Sequence, residues 1–436
     1  MKIYNSSATN ATPSPTEKSS GHATHKKNSS KNATTQGLAA VLTAMKNVAR
    51  DECSRSTHAI PVNSTQLESY LTTKLGGGKW QVTKANTAGV TSEYYRGVNV
   101  ASGQRVFVKL AKPTKSGRIQ DAGILTGMAE VEFYNTLHNQ PAPSSADATH
   151  GGTICGSVRT PKCLIAETSR LGSRYVVVLE DLAKDEKESA NDIRFIQPGQ
   201  TLPISDVEHI LAALAEVHAE YWQNEEAIPS IHEKRTDRGS KLAGLIIGKT
   251  IKQYRSKGGL IEPGSDIDRV IATTQKLGGI CGMDAKLNEL HSDLRSLVHG
   301  DCHGGNIYMV DGEEGGKTEV GLLDWQTYTY GNPLIDAASV LIMCLSVEDF
   351  AEHRADLTKY YLDALRSRGV DINVTDEMIH EALCCRTAYY LSGTLLGIAF
   401  VGLDDPERQA MLNRGWAMIT KKVLMLDLVT FLEDRL

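Results

Sequence analysis

A chain of 436 residues, 41% hydrophobic and 23% charged, is long enough to bury a large core and to form roughly two or three folding units. A formal charge of -5 and a pI near 6.2 leave no basic stripe for a nucleic-acid backbone, so nucleic acid is not an expected partner. Eight cysteines without a CxxC pair argue against a zinc ribbon or a redox dithiol, and the apolar runs VLIMCL and LLGIAFV fall short of the roughly 18 residues a membrane span requires.

Residues 1–36 are rich in Ser, Thr, Asn and Lys and poor in large apolar side chains, so burial cannot offset their ordering entropy. They are expected to be disordered to about Gln36. The N-x-[ST] sequons there follow from composition, and no apolar h-region follows Met1. A reducing, cytoplasmic location is expected, with organelle import through the tail as the alternative. Two helices come next, GLAAVLTAMKNVARDE and STQLESYLTTKLG, the second opened by Asn63 or Ser64. The β-rich runs WQVTKANTAG, SEYYRGVNVAS and QRVFVKLA then read as an antiparallel meander, with Lys109 near the end of the third strand.

A Lys fixed on a strand can set its ammonium against nucleotide phosphates if a carboxylate holds it there. On its own, Lys109 is an ordinary solvated residue. The helix GMAEVEFYNTLHN offers Glu130 or Glu132 at the border of a stripe formed by Met128, Val131, Tyr134 and Leu137, widened by Phe133. The turn NTAGVTSE, with Gly89, Thr91 and Ser92, could cover phosphates, although it lacks GxGxxG and an ordinary hairpin turn would look the same. QPAPSSADATHGG reads as a loop, and KCLIAETS with RYVVVLEDL as a strand pair. Where the apolar strand passes into a polar connector, at Glu180, Asp181 and Leu182, backbone groups could meet an adenine edge, or the stretch could be a plain linker. SDVEHILAALAEVHAEYW is a buried helix with Ser205 and Glu208 as its capping box and His218 as a core residue.

The stretch LVHGDCHGGNIYMVDGEEGGKTEVGLLDWQ carries the sharpest pattern. Phosphoryl transfer needs a carboxylate to take the acceptor's proton and oxygen ligands for the metal that neutralises phosphate charge. Glycines in HGDCHGGN let a tight loop project Asp301 and Asn306 to one side, and the strand EVGLLD delivers Asp324 at its end. Asp301 is the candidate base; Asn306 and Asp324 are candidate metal ligands. NIYMV and EVGLLDW are expected to pair across the charged hairpin tip, while Cys302 and His303 read as loop packing.

Together, LVHGDCHGGNIYM, GLLDWQ, GNPLIDAASVL, VLEDL and the E-x-x-F-Y of AEVEFY resemble the aminoglycoside phosphotransferase and choline kinase group, especially its ecdysteroid-kinase-like (CHK kinase-like) branch. The resemblance runs from about Asn63 to the C-terminus. It implies a two-lobed, protein-kinase-like α+β fold, with a small antiparallel N-terminal lobe over residues 37–180 and a mainly helical lobe over 181–436. It also implies that Lys109 pairs with Glu130 and the nucleotide phosphates, and that the Glu180 to Leu182 backbone is the adenine hinge. Gly89 and Ser92 would cover the phosphates, and His299 and Asp336 would brace the catalytic loop. DWQ in place of D-F-G, and the absence of A-P-E, set the chain apart from protein kinases. HGD in place of HRD removes the Arg that answers an activation-loop phosphate. The expected activity is transfer of the γ-phosphoryl group of ATP, with Mg2+, to a hydroxyl of a small molecule such as a sterol, an aminoglycoside or a choline-like amine. A catalytically silent nucleotide-binding scaffold and an atypical protein kinase are the alternatives.

Overall fold

In this computed structural model, residues 39, 41–54, 59–85, 92–114, 117–119, 126–138, 152–183, 193–229, 261–312, 318–401 and 406–435 are described. The expected disordered tail, the loop QPAPSSADATHGG apart from Gly152 and the hairpin tip at 313–317 lie outside them. Helix α1 runs through residues 41–52. Helix α2, Ser64–Leu75, is opened by Asn63, whose side chain accepts the Gln66 N–H.

The predicted meander forms as β1 (Trp80–Lys84), β2 (Ser92–Asn99) and β3 (Arg105–Ala111). After helix α3 (Thr126–Thr136), the strands β6 (Cys163–Thr168) and β7 (Tyr175–Glu180) complete an antiparallel sheet in the order β1-β2-β3-β7-β6. Period-two alternation decides which way each residue of β3 points. Val106, Val108 and Leu110 join Val176, Val178 and Trp80 in a core closed by Leu67, Tyr70 and Leu71 of α2. Phe107 and Lys109 therefore face the other side, towards α3 and the rest of the chain. Lys109 sits on the central strand, paired with Tyr94 of β2 and Val177 of β7.

Three short strands that the sequence does not signal, β4 (Gly152–Cys155), β5 (Val158–Thr160) and β8 (Ile193–Phe195), join β10 (Ile307–Val310) and β11 (Glu319–Leu322) in a second sheet, in the order β4-β5-β11-β10-β8. The β10–β11 pair is the expected antiparallel hairpin, with Ile307 opposite Leu322. A third pair, β9 (Ser296–Val298) with β12 (Thr329–Gly331), flanks the HGD loop.

Helix α4, Ile204–Glu220, corrects the capping-box expectation: its N-cap is Pro203 and no side chain caps it, so Ser205 and Glu208 already lie inside the helix. Proline sets the φ of the helix entry and has no N–H to satisfy, which moves the start upstream of Ser205. The remaining helices are α5 (Asp266–Lys276), α6 (Gly279–Leu290), α7 (Leu334–Cys344), α8 (Val347–Arg366), α9 (Asp376–Val401), α10 (Pro406–Met425) and α11 (Leu428–Arg435). Helix α9 packs against α6, α7 and α10, and α8 packs against α4. The architecture is thus an antiparallel N-terminal sheet followed by a mainly helical region. Among the described residues, no helix is long and apolar enough to cross a membrane.

Candidate active site

A cavity of about 390 Å³ opens between the first sheet and the HGD loop, within the size range of ordinary ligand pockets. Lys109 and Glu130 stand at its inner end. On α3, Phe133 and Tyr134 lie one turn beyond Glu130 and are fully buried, so Glu130 rotates inward and is 2% exposed, while Glu132 is half-buried. Burial, not charge, separates the two candidates. The Lys109 ammonium meets Glu130 Oε2 at 2.6 Å and Asp324 Oδ1 at 2.7 Å. Desolvation alone would lower its pKa, but the Asp324 and Glu130 carboxylates outweigh that and hold it well above the usual lysine value.

Asp324 follows β11 with φ 60, a left-handed backbone that a residue other than glycine adopts at some cost. This turn throws its carboxylate back towards Lys109 instead of along the strand. Gln326, a residue not singled out as a ligand from the sequence, bridges the same groups: its Oε1 lies 3.5 Å from Lys109 Nζ and its Nε2 donates to Asp324 Oδ2 at 3.4 Å. On the facing loop, Asn306 Nδ2 donates to the Asp301 carbonyl at 3.0 Å. That bond fixes the amide nitrogen and leaves the amide oxygen as the group available for a hard cation. Asp301 is part-exposed, with His303 Nε2 3.6 Å from its Oδ2. His303 Nδ1 accepts the Gly305 N–H at 3.1 Å, which is the loop-packing role expected for it.

The loop is held from behind. Asp336, fully buried on α7, accepts the His299 N–H at 2.6 Å and the Gly300 N–H at 2.9 Å. Burial opposes its charge, yet hydrogen bonds from His218 and the Gly300 N–H, with the His218 and His299 rings near, keep its pKa below the ordinary value. His218 joins this bracing on its other side through Tyr361, 2.7 Å away. Gly300 has φ 83, and a Cβ there would stand 2.6 Å from the Thr327 carbonyl oxygen. His299 Nε2 donates to the Leu323 carbonyl at 2.8 Å, next to Asp324.

At the outer end, Glu180, Asp181 and Leu182 line the cavity with Phe107, Leu179, Phe195 and Leu323. Asp181 is pinned by Arg96 at 3.5 Å and Arg105 at 3.2 Å, and its Oδ1 accepts the Ala183 N–H. The aromatic walls Tyr94, Phe107 and Phe195 were missed in the sequence; alternation with buried Tyr95 along β2 and with buried Val106 and Val108 along β3 is the signal that exposes the first two. Ser92 lies at the start of β2, 2% exposed, with its hydroxyl 2.6 Å from that of Tyr175, so this oxygen is engaged in the interior. Gly89 and Thr91 lie outside the described residues. The structure therefore brings Lys109, Glu130, Asn306, Asp324 and the 180–182 segment to one cavity, with Asp301 beside Asn306.

An ethanolamine kinase of Plasmodium vivax aligns at 12% identity over 83% of this chain and 89% of its own, with a TM-score of 0.43. A microcompartment-associated aminopropanol kinase aligns at 12% identity over 81% of this chain and 93% of its own, with a TM-score of 0.42. No curated protein matches the sequence. The ecdysteroid kinase-like family matches residues 108–373, more than half of the sequence and the whole run from the Lys109 strand past Asp336, and the chain belongs to that family.

Proposed function

We propose that the chain is a small-molecule kinase that transfers the γ-phosphoryl group of ATP to a hydroxyl. One observation carries this reading: the buried Lys109 ammonium is shared between Glu130 and Asp324, at 2.6 and 2.7 Å, in a cavity whose facing loop holds Asn306 beside Asp301. Lys109 would pair with the phosphates, and Glu130 would keep its ammonium from swinging away. The apolar outer end, bounded by Phe107, Phe195 and Leu323, would take the adenine, with the 180–182 backbone at its edge.

Asp301 would accept the proton of the acceptor hydroxyl as its oxygen bonds to the γ phosphorus and the β–γ bridging bond breaks, releasing ADP. Asn306 and Asp324 supply the amide and carboxylate oxygens that suit Mg2+, a hard cation with a preference for oxygen ligands. When bound, Mg2+ supplies neutralisation of phosphate charge. Placement of the acceptor, the nucleotide and the proton belongs to the chain's own groups.

The test is ADP formation from Mg-ATP in the presence of sterols, amino alcohols, aminoglycosides and sugars, one at a time, with the Asp301→Asn protein as blank. Acceptor-dependent ADP formation in the wild-type chain alone is expected. Phosphate incorporated only into added proteins would make it a protein kinase. Binding of Mg-ATP without transfer to any acceptor would make it a scaffold.

A further inference from the structure

Helix α9 carries an arginine in the middle of the apolar run ALCCRTAYYL, beyond the residues the family match covers. Arg386 is fully buried. Its guanidinium makes three directed contacts: Nη2 to the Gly300 carbonyl at 3.0 Å, Nε to Ser339 Oγ at 2.9 Å and Nη1 to Asp284 Oδ1 at 2.6 Å. Its central carbon stands 3.7 Å from the Tyr389 ring centroid and 4.9 Å from that of Tyr390. Burying a guanidinium is costly unless its donors are met, and an apolar side chain would fill a helix core more cheaply. Stability alone therefore gives a weak reason for an arginine here.

The Gly300 carbonyl belongs to the same peptide unit as the Asp301 N–H. Arg386 grips the carbonyl side, while the Asp301 N–H bonds back to His299 Nδ1 at 3.3 Å. Asp336 grips the N–H groups of the two preceding residues. A glycine at φ 83 would otherwise leave this peptide free to rotate, and rotation would swing the Asp301 carboxylate. On its far side the guanidinium is tied to Asp284 of α6, whose carboxylate is 22% exposed.

We propose that Arg386 is a positioning residue for Asp301. It fixes the Gly300–Asp301 peptide so that the carboxylate faces the acceptor hydroxyl, and through Asp284 it ties helices α6 and α9 to that geometry. The inference rests on the reading of Asp301 as the base.

The test measures ATP hydrolysis with water as acceptor, over a range of Mg-ATP, in wild type, Arg386→Met, Arg386→Lys, Asp301→Asn and the Asp301→Asn/Arg386→Met pair. Arg386→Met is expected to lower kcat about 10²-fold, the size of effect that misplacing a reacting group has, with KM for ATP unchanged. Arg386→Lys, which keeps a donor for one of the acceptors, should recover part of the loss. On the Asp301→Asn background the second change should cost nothing more, because both act through one carboxylate. Wild-type kcat in a folded Arg386→Met protein overturns the proposal, as does full additivity or a rise in KM in step with the fall in kcat. If Asp301→Asn alone leaves kcat unchanged, the base assignment fails and this inference falls with it. Should Arg386→Met not fold, Asp284→Asn loosens the same guanidinium from its solvent side. A several-fold loss of kcat at constant KM then supports the proposal, and an unchanged kcat overturns it.

Discussion

Two carboxylates share one ammonium at the inner end of the cavity, so this cluster carries a net negative charge before any nucleotide enters. Glu130, 2% exposed, is committed to Lys109, whereas the Asp324 side chain is 22% exposed and free to serve a cation as well. Asp324→Asn should therefore weaken Mg-ATP binding while folding survives, because the amide keeps an oxygen but loses the charge that holds a hard divalent ion beside phosphate. Titration calorimetry of both proteins decides it; equal affinity and equal magnesium dependence would remove Asp324 from the metal site. Asp301 should separate binding from chemistry. With Asp301→Asn, Mg-ATP affinity is expected to match wild type while turnover falls about 10²- to 10⁴-fold, the usual worth of a positioned base. A joint loss of stability and nucleotide affinity would instead make Asp301 a brace for the loop between His299 and Asn306. These residues were legible in the sequence because their chemistry is local: Asn306 follows Asp301 by five positions, and a short strand pair brings Asp324 to them. Arg386 was not, because its partner carbonyl lies 86 residues away and nothing in ALCCRTAYYL says which groups the helix faces. The only signal was a charge inside an apolar run.

Elements with a displayed period were readable in the first half of the chain; helices α5 to α11 were anticipated only together, as a helical lobe, and the three-residue strands not at all. The helices α2, α3 and α4 and the strands β1, β2, β3, β6 and β7 follow hydrophobic periods that the sequence displays. β5, β8, β9 and β12 are three residues each, too short to show any period, and they exist because neighbouring segments present unpaired backbone groups to them. A similar long-range effect governs the end of α7. Lys422, fully buried on α10, donates to the carbonyls of Ile342 at 2.6 Å and Leu345 at 2.8 Å, groups left without partners where α7 stops. Burial pushes its pKa down from 10.5 to about 7, against the opposing pull of Cys344, Asp349 and Glu348. The unfolded chain then binds a proton that the folded chain does not between those two values, so the Lys422 contribution is full above 10.5 and lost as pH falls through about 7. The melting temperature of wild type relative to Lys422→Met is expected to climb as pH rises from 7 towards 10. A difference that stays flat over that range would mean that the two carbonyls keep the ammonium charged.

At the scale of the whole molecule, two cores meet along the first sheet. One face closes on α2; the other, through Tyr175, Val177 and Leu179, joins the large core that continues into the helical region. The sequence of residues 1–36 is poor in apolar groups, so their deletion is expected to leave melting temperature and Mg-ATP affinity unchanged, and a large fall in melting temperature would overturn that expectation. The link that matters to the cavity is narrower. Phe133 of α3 stacks on Trp325 with centroids 4.3 Å apart and planes 8° from parallel, and both are fully buried. Glu130 lies one turn before Phe133, and Asp324 immediately precedes Trp325. This stack is therefore expected to set the spacing between the two carboxylates that share Lys109. Phe133→Ala should cost about 3–5 kcal/mol, as truncation of a buried Phe does. Loss of packing alone does not identify the stack as the coupling, so Phe350→Ala on α8, an equally buried ring in the helical core, serves as the comparison. Both variants should melt earlier by similar amounts. Measured well below both transitions, Mg-ATP affinity should fall for Phe133→Ala and stay near wild type for Phe350→Ala. If both folded variants bind Mg-ATP as tightly as wild type, the carboxylate spacing is set by the sheet and the 324–327 turn themselves, and the stack contributes only packing.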